Sequence, residues 1–466
     1  MGDSDDIADR LAVHFERTSG RDGLEVDKLK RLSGGASRET WSFELHDALE
    51  GGRQPLVLQR VRAGAGLGNA FSMDGEAALL RAAAAAGVPV APVVASSDDE
   101  SVIGAPFLVL GWADGETIAR RILRDDEFTV ARGRLVRQCA EALAAIHGLD
   151  PGVADYLRHQ EPVAQMRGLL DVLGQPHPAF ELGLRWLEAN RPPEGRRAVV
   201  HGDFRLGNLM VDEHGLRAVL DWELAHLGDP MEDLGWLCVR AWRFGSDLPV
   251  AGVGSYDELF AAYEAASGLV VDPEAVRWWE VLGTLRWGVI CVMQASSHLS
   301  GASRSVELAA IGRRVCENEY DVLCLIGARP RPGAVTLEAA ASSSPSAVGD
   351  HGLHDAPSAD QLLEAVREFL ECDVMDATSG RVQFHARVAA RVVAMVQREL
   401  ARPGAEAVHR SRLATLAMAD DAALAAAIRS GQLVGDGDQV HAVVWATVLD
   451  KVLVANPDYL LPDDQA

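Results

Sequence analysis

The sequence VVHGDFRLGNLMVDEHGLRAVLDW, residues 199–222, contains three short apolar runs separated by two polar segments. The runs predict three strands, and DEHG at 212–215 predicts a tight turn because its glycine tolerates a positive φ. A hairpin closed at this turn would hold the first polar loop, with Asp203 and Asn208, close to Asp221 at the end of the third strand. Two carboxylates and an amide oxygen suit Mg²⁺, which binds few protein ligands together with phosphate oxygens and water.

The same stretch resembles the catalytic core of the aminoglycoside phosphotransferase and choline kinase family, whose members are relatives of the protein kinases. The protein-kinase pattern H-R-D-x-x-x-x-N followed by D-F-G corresponds to HGDFRLGN at 201–208 and DWE at 221–223. The resemblance implies that Asp203 accepts a proton from a substrate hydroxyl, and that Asn208 and Asp221 hold Mg²⁺ on nucleotide phosphates. In a simpler interpretation Asp203 and Asn208 only cap a turn, but a turn needs no acid at the next strand end.

A phosphate-covering hairpin is predicted near the amino terminus. Strand-like patterns lie on both sides of the small-residue segment SGGAS at 33–37. Backbone amides in such a loop can approach phosphate because no Cβ intervenes. Taken by itself the segment favours an ordinary hairpin turn, and the phosphate role rests on the stretch at 199–222. The expected nucleotide-binding residues in this loop are Gly34, Gly35 and Ser37.

The third predicted strand, residues 56–59, departs from the family pattern. Its last position normally holds a Lys or Arg that contacts the nucleotide phosphates, whereas Gln59 is neutral. Arg60 follows, but strand alternation points it to the other face unless a bulge re-aims it. Arg205, two residues after Asp203, is a second candidate for the missing charge. The sequence leaves open whether the positive charge is relocated or absent.

A helix is predicted from Ser72 to about Ala86, with Ser72 as its N-cap. Glu76 lies early in this helix, where the family carries the Glu that orients the strand-three cation. Three roles remain open for it: an ion pair with Arg60, a hydrogen bond to Gln59, or an exposed position favoured by the helix dipole.

Residues 107–112 predict the strand that leads into the hinge between two lobes. Backbone groups near Leu110 and Trp112 are expected to bind the adenine edge. Beyond the hinge the apolar periodicity becomes helical. His147, at the end of a predicted helix, is interpreted as a packing or helix-dipole residue rather than a catalytic one. The resemblance gives Asp233 a structural role, in which its carboxylate steadies the catalytic loop.

The composition divides the chain. Residues 329–355 are rich in Pro, Gly and Ser and predict a linker. Several amphipathic helices without a catalytic motif follow, similar to an uncharacterised domain that accompanies some of these phosphotransferases; we expect an accessory or dimerising role for them. The predicted domains are an N-lobe at 1–112, a C-lobe at 113–328, the linker, and a helical accessory domain at 356–466.

The predicted fold class is α+β: a bilobal protein-kinase-like fold, with an antiparallel-sheet N-lobe and a mainly helical C-lobe, plus a C-terminal all-α bundle. A length of 466 residues favours several domains, and a net charge of −24 argues against a nucleic-acid partner. Six scattered cysteines without metal-ligand spacing indicate reduced thiols and a cytoplasmic location. The Ala-rich run at 82–95 is broken by Gly and Pro, so we expect no membrane span.

The resemblance implies a phosphotransferase that moves the γ-phosphoryl of a nucleoside triphosphate, ATP or GTP with Mg²⁺, to a hydroxyl of a small metabolite. The phrases HGDFRLGNLM and LDWELAHLGDP are most similar to the branch of the family joined to, or encoded beside, acyl-CoA dehydrogenases. That branch implies a hydroxylated metabolite such as a hydroxyacyl-CoA. The alternative, motivated by Gln59, is a pseudokinase-like module that binds nucleotide or an acyl ligand with little turnover. A homo-oligomer formed through the C-terminal helices is also expected.

Overall fold

The computed structural model describes residues 3–32, 38–49, 51–62, 72–154, 156–159, 161–330, 357–433 and 437–465. The chain forms two compact units. The first comprises Met1–Gln160 and Pro192–Glu280, and the second comprises Glu161–Arg191 and Val281–Ala466. The predicted linker falls almost entirely outside the described residues, and the predicted domain boundaries stay a prediction.

The first unit begins with a helix and a five-stranded antiparallel sheet in the order β1-β2-β3-β5-β4. Ile7, Leu11 and Phe15 recur at helical spacing and are buried against the sheet, as their periodicity predicts. The elements are α1 (Asp3–Ser19), β1 (Leu24–Arg31), β2 (Arg38–Asp47), β3 (Arg53–Val61), α2 (Met73–Ala85), β4 (Val93–Ser97) and β5 (Phe107–Gly111).

Helix α2 starts where its cap predicts. The Ser72 hydroxyl accepts a hydrogen bond from the Gly75 amide at 2.8 Å, which satisfies one of the free donors of the first turn. The helix buries Leu79, Leu80 and Ala83, and it also buries Glu76. Because a lone charge is costly in a core, a buried Glu in the first turns requires a partner.

The chain after β5 is mainly helical, with four short strands that form two small antiparallel sheets, β6-β9 and β7-β8. The helices are α3 (Ala119–Arg124), α4 (Thr129–His147), α5 (Pro162–Leu173), α6 (Pro178–Ala189), α7 (Met231–Cys238), α8 (Tyr256–Ser267) and α9 (Pro273–Leu299). The strands are β6 (Ala198–Val200), β7 (Leu209–Asp212), β8 (Gly215–Val219) and β9 (His226–Gly228). Of these helices, α5 and α6 lie in the second unit, and α9 begins in the first unit and continues into the second from Val281 onward.

The predicted hairpin is β7-β8. The Asp212 carboxylate accepts hydrogen bonds from the amides of His214 and Gly215 at 2.8 and 3.0 Å, and Gly215 has a φ of 133°. The turn therefore forms for the reason that the sequence indicates. The first predicted strand, β6, does not join this hairpin and pairs with β9 instead.

The second unit is helical. The remaining helices are α10 (Val306–Arg313), α11 (Val315–Leu325), α12 (Ala359–Glu368), α13 (Met375–Ala377), α14 (Gly380–Leu400), α15 (Ala405–Thr415), α16 (Asp421–Ser430) and α17 (Gly437–Ala455), with a π-helical turn Phe369–Val374 between α12 and α13. Ala179 of α6 and Tyr320 of α11 share one hydrophobic core with Ile428 and Trp445. The carboxy-terminal helices therefore pack on helices that the sequence assigns to the C-lobe.

All six cysteines carry free thiols, and four of them are buried, which agrees with the predicted reduced state. Burial alone raises the pKa of the Cys139 thiol to about 12, so this group is inert at neutral pH. Among the described helices, none combines the length and apolarity that crossing a bilayer would require.

A buried ionic cluster joins three helices of the second unit. Lys451 of α17 lies 3.2 Å from the Glu319 carboxylate of α11, and Nδ1 of His177, next to α6, lies 2.8 Å from the same carboxylate. Glu319 is 1% exposed. Burial would raise the pKa of Glu319, but Lys451 and His177 outweigh it and lower this pKa from 4.5 to about 2.

We expect Glu319→Gln to destabilise the protein at pH 7, because the variant removes the buried charge that His177 and Lys451 contact and leaves the half-buried Lys451 ammonium without its counter-charge. The folded-state pKa of Glu319 lies below its unfolded value, so its stabilisation is complete above about pH 5 and is lost as the pH falls toward about 2. The difference in unfolding free energy between wild type and variant should be on the order of 3 kcal/mol at pH 7 and should shrink toward pH 2. Urea unfolding at several pH values measures it.

The matched control is Glu406→Gln, which removes a carboxylate from an exposed pair with Arg410 in the same unit. It should change the unfolding free energy by less than about 0.5 kcal/mol. A Glu319→Gln deficit that is the same at every pH would contradict the assignment.

Candidate active site

The loop between β6 and β7 contains the HGD motif and turns sharply at its glycine. Gly202 has a φ of 75°, and a Cβ at this position would lie 2.5 Å from the carbonyl oxygen of Leu224. Only glycine fits this conformation and this close approach. The residue type in the middle of the motif therefore follows from the backbone.

Asp233, in the first turn of α7, holds this loop. Its carboxylate accepts hydrogen bonds from the amides of His201 and Gly202 at 2.8 and 2.9 Å, and it lies 3.1 Å from Nε2 of His147. Asp233 has no exposed surface. Burial would raise the pKa of Asp233, but the hydrogen bonds from His147 and from the backbone lower it, so the group stays ionised. This matches the structural role that the resemblance implies, and His147 is a buried support rather than a catalytic group.

His201 is a second internal support of the loop. Its Nδ1 accepts a hydrogen bond from the Asp203 amide at 3.2 Å, and its Nε2 donates to the Leu220 carbonyl at 3.0 Å. These two bonds require the neutral imidazole with its proton on Nε2. Burial lowers the pKa of His201 and favours the same form. His201 therefore links the loop to the segment after β8 and carries no charge.

The Asp203 carboxylate receives three side-chain hydrogen bonds. Nδ2 of Asn208 donates at 2.6 Å, Nε of Arg205 at 3.0 Å and Nε1 of Trp236 at 2.9 Å. Three donors on one carboxylate fix its rotamer and leave it little freedom to turn. Because Asn208 donates through Nδ2, its Oδ1 is the atom that a cation would use.

Trp236 is a site residue that sequence reasoning missed. The sequence assigns its ring to the core, and the ring is indeed buried in α7. The indole N–H nevertheless reaches Asp203. A signal was present, since Trp236 follows Asp233 by one helical turn and so shares its helix face.

Arg205 lies beside Asp203 and is held in place by an aromatic ring. Its guanidinium carbon lies 4.6 Å from the centroid of Trp242, and this ring packs on Trp236 at 5.4 Å. A guanidinium stacked on an aromatic face keeps its charge while losing little freedom. Arg205 thus places a positive charge next to the Asp203 carboxylate, and its predicted role toward phosphate stays a prediction.

Asp221 follows β8 in an unusual conformation. Its φ of 63° lies in the left-handed region, which non-glycine residues rarely adopt, and its side chain is accessible to solvent. Although the residue keeps exposed surface, the protein atoms around its carboxylate partly desolvate it; this desolvation and the charges of Glu223 and Asp203 raise the pKa of Asp221 to about 7, and Arg38 and Arg205 oppose the shift. Asp203 and Asp221 therefore lie near enough to repel each other, and a cation bound between them would relieve that repulsion.

The strand-three residues lie where alternation predicts. The register Thr40↔Gln59 and Glu39↔Arg60 continues without a bulge, so Arg60 is not re-aimed. Arg60 instead forms an ion pair with Glu39 at 3.1 Å on the opposite face of the sheet. The expectation that Arg60 supplies the phosphate cation finds no support in this geometry.

Glu76 pairs with neither of its two predicted partners. Its carboxylate forms a two-pronged pair with Arg38, at 2.9 Å to Nη1 and 2.6 Å to Nη2. The sequence does not single out Arg38 because it reads as an ordinary polar residue at a strand start. The interpretation in which Glu76 pairs with Arg60 is therefore wrong, and so is the interpretation in which Glu76 is an exposed residue at the helix start.

Two groups of predicted nucleotide contacts stay predictions. Gly34, Gly35 and Ser37 lie outside the described residues. Leu110 is in β5, and Trp112 just after it is 45% exposed, with Nε1 donating to Asp114 at 2.8 Å. The Trp112 amide donates to the Pro55 carbonyl at 3.2 Å, so an adenine ring could use this amide only by replacing that bond.

We expect Asp233→Asn to cost about 3 kcal/mol of unfolding free energy, because the amide cannot accept from two backbone amides and His147 without turning an N–H toward one of them. Thermal and urea unfolding measure the loss. Asp257→Asn, in the exposed first turn of α8, is the control and should change the unfolding free energy by less than about 0.5 kcal/mol. Equal stability of the two variants would remove Asp233 as the anchor of the loop.

Comparisons with known proteins agree with the geometry. The profile of the phosphotransferase enzyme family matches residues 28–279, and that of a domain of unknown function (DUF6285) matches residues 376–459. A Ralstonia eutropha JMP134 protein assigned to the aminoglycoside phosphotransferases has a similar structure, with a TM-score of 0.55 and 23% identity over 68% of this chain and 98% of that chain. This similarity confirms the predicted protein-kinase-like fold class.

Two curated relatives each match about half of the chain. Acyl-CoA dehydrogenase family member 10 of Mus musculus is 29% identical over 279 residues, which are 55% of this chain and 25% of that protein. Acyl-CoA dehydrogenase family member 11 of Gallus gallus is 31% identical over 246 residues, which are 49% of this chain and 30% of that protein. The chain thus spans a third or less of the length of either relative. The family match covers more than half of the sequence and includes every residue of the site described above, and the chain belongs to the phosphotransferase enzyme family.

Proposed function

We propose that this protein transfers the γ-phosphoryl group of a nucleoside triphosphate, ATP or GTP, to the hydroxyl of a small metabolite. The observation that carries the proposal is the Asp203 carboxylate, held by three donors, with Arg205, Asn208 and Asp221 beside it. Phosphoryl transfer needs little covalent chemistry from a protein and depends on positioning and on charge stabilisation. The proposed site supplies both.

Asp203 is the proposed general base. It would accept the proton of the acceptor hydroxyl as the oxygen attacks phosphorus. A base works best when its carboxylate needs no reorganisation, and the bonds from Trp236 and Asn208 provide that order before substrate binds. His201 and Asp233 support the base indirectly. His201 accepts a hydrogen bond from the Asp203 amide, and Asp233 accepts one from the His201 amide.

Arg205 is the proposed charge stabiliser on the side of the transferred group. Its Nε bonds to Asp203, and its stacking on Trp242 keeps the guanidinium beside the carboxylate. Negative charge on the oxygens of the transferred group would interact with it at close range. In this role the fixed position of the Arg205 guanidinium matters as much as its charge.

The residues suited to a divalent cation are Asn208, through Oδ1, and Asp221, through its accessible carboxylate. Hard oxygen donors of this kind fit Mg²⁺, which keeps several water or phosphate ligands of its own. Bound there, Mg²⁺ would supply neutralisation of phosphate charge. The raised pKa of Asp221 supports this assignment, because a bound cation favours the carboxylate form.

For the acceptor we propose a hydroxylated acyl compound such as a hydroxyacyl-CoA. Its support is the similarity to proteins named acyl-CoA dehydrogenase family members 10 and 11. The pseudokinase-like alternative is based on the neutral Gln59. The presence of Asp203, Asn208 and Asp221 together weighs against it. A cytoplasmic location and oligomerisation through the carboxy-terminal helices stay predictions.

We expect Asp203→Asn to reduce turnover by about 10²- to 10⁴-fold, because the amide keeps the shape but cannot accept the proton. Binding of Mg·ATP should change little in that variant, whereas Asp221→Ala should weaken it. ADP release over a panel of hydroxylated metabolites, including hydroxyacyl-CoAs, measures turnover. Calorimetry measures nucleotide binding.

Glu213→Gln, in the exposed β7-β8 turn, is the control for both variants and should match wild type. Unchanged turnover in Asp203→Asn would remove the base assignment. Wild-type protein that binds Mg·ATP but phosphorylates nothing in the panel would favour the pseudokinase-like alternative.

A separate prediction concerns Trp236→Phe, which removes the indole N–H and keeps an aromatic ring. Loss of one of three donors on Asp203 should lower kcat by about tenfold with a smaller effect on KM. Trp445→Phe, a buried Trp of the second unit, is the control. An unchanged kcat, or an effect on KM as large as the effect on kcat, would count against a role through Asp203.

A further inference from the structure

The cation position on strand three carries no charge in this protein. Gln59 occupies the face of β3 that looks toward Glu76, and Arg60 faces the other way in its pair with Glu39. A nucleoside triphosphate carries several negative charges, and Asn208 and Asp221 add none of the positive charge that phosphates need. A phosphate site at this place therefore requires a cation from another element.

The register of β2 and β3 shows which residue can supply it. Residues directly opposite in an antiparallel pair share a face, and the pairs here are Arg38↔Val61 and Thr40↔Gln59. Arg38 thus lies on the same face as Gln59 and diagonally next to it. The contact is direct, because Nη1 of Arg38 donates to Oε1 of Gln59 at 3.3 Å.

The guanidinium of Arg38 is held from two sides. Glu76 of α2 binds it through two parallel hydrogen bonds, and Glu223 lies 3.2 Å from its Nε. Glu223 is two residues after Asp221, so Arg38 contacts the segment that carries the proposed metal ligand. Arg38 is 6% exposed, so solvent screens its charge only weakly. Arg38 therefore lies between the α2 carboxylate and the loop proposed to bind the metal.

We propose that Arg38, at the start of β2, is the phosphate-binding cation of this protein and replaces the charge that Gln59 lacks. Glu76 positions it, and Gln59 serves as a neutral hydrogen-bond partner that leaves room for the larger guanidinium. Glu76 and Gln59 contact the terminal nitrogens of the guanidinium and Glu223 contacts its Nε, so a phosphate oxygen would take the place of Gln59 or Glu223 among the five N–H donors. The ligand class is the phosphate chain of a nucleoside di- or triphosphate. This assignment rests on the proposed function, because it presupposes that a nucleotide binds in the site.

The test compares ATP with adenosine, which lacks the phosphates. In Arg38→Gln the affinity for Mg·ATP should fall by about ten- to a hundredfold, while the affinity for adenosine should change by less than about twofold. Calorimetry or displacement of a fluorescent nucleotide measures both. A purely structural role would lower both affinities together, so the ratio separates the two explanations.

The second part of the test moves the positive charge from position 38 to position 59. Adding Gln59→Lys to Arg38→Gln returns a cation to the strand-three position on the same face, and ATP affinity should recover at least tenfold relative to the single variant. Arg53→Gln, which removes an exposed cation of β3 paired with Asp27 and Glu44, is the matched control and should leave both affinities unchanged. If Arg60→Gln rather than Arg38→Gln lowers ATP affinity, the assignment is overturned.

Arg38→Gln leaves Glu76 buried without its partner and could unfold the protein. The double variant Arg38→Gln/Glu76→Gln removes both charges of the pair, and the same ratio of ATP to adenosine affinity decides the question. An unchanged ratio in a folded variant overturns the role of Arg38 and leaves the proposed function intact. Wild-type protein that binds ATP through Arg38 but transfers no phosphoryl group would overturn the proposed function and leave Arg38 in place.

Discussion

The site depends on one buried carboxylate. Asp233 has no exposed surface, and its carboxylate accepts hydrogen bonds from the backbone amides of His201 and Gly202. Two backbone donors on one ionised group fix the direction in which the chain leaves the motif. The position of Asp203 follows, because its amide is tied to His201 and its side chain starts from that fixed backbone. The glycine of the motif is needed for the same reason, since a Cβ would collide with a neighbouring carbonyl.

Around this anchor the protein gathers charge of both signs. Asp203, Asp221 and Glu223 bring negative charge to a small region, and their mutual repulsion contributes to the raised pKa of Asp221. Arg205 and Arg38 oppose it from two sides, one held by an aromatic ring and the other by a carboxylate. These charges interact strongly at short range, and a bound divalent cation and phosphate chain would change the energy of those interactions.

The second unit shows that sequence families and hydrophobic cores need not share boundaries. The domain of unknown function at 376–459 contributes residues such as Ile428 and Trp445 to one core with α6 and α11. The Lys451–Glu319–His177 cluster lies within the same packing. A buried ion pair adds little net stability compared with an apolar pair, but it strongly disfavours any arrangement that leaves one charge alone. The cluster therefore specifies how these helices meet.

The sequence by itself determined the local features, because these depend on neighbours in the chain. The β7-β8 turn at Asp212–Gly215, the Ser72 cap, the periodicity of α1, the opposite faces of Gln59 and Arg60 and the acid after β8 all follow from spacing and residue type. The tertiary structure alone decided which distant side chains meet. Arg38 and Glu76 are 38 positions apart, and Trp236 and Asp203 are 33 apart. Such pairs depend on strand register and on helix placement, so no local pattern in a single sequence specifies them.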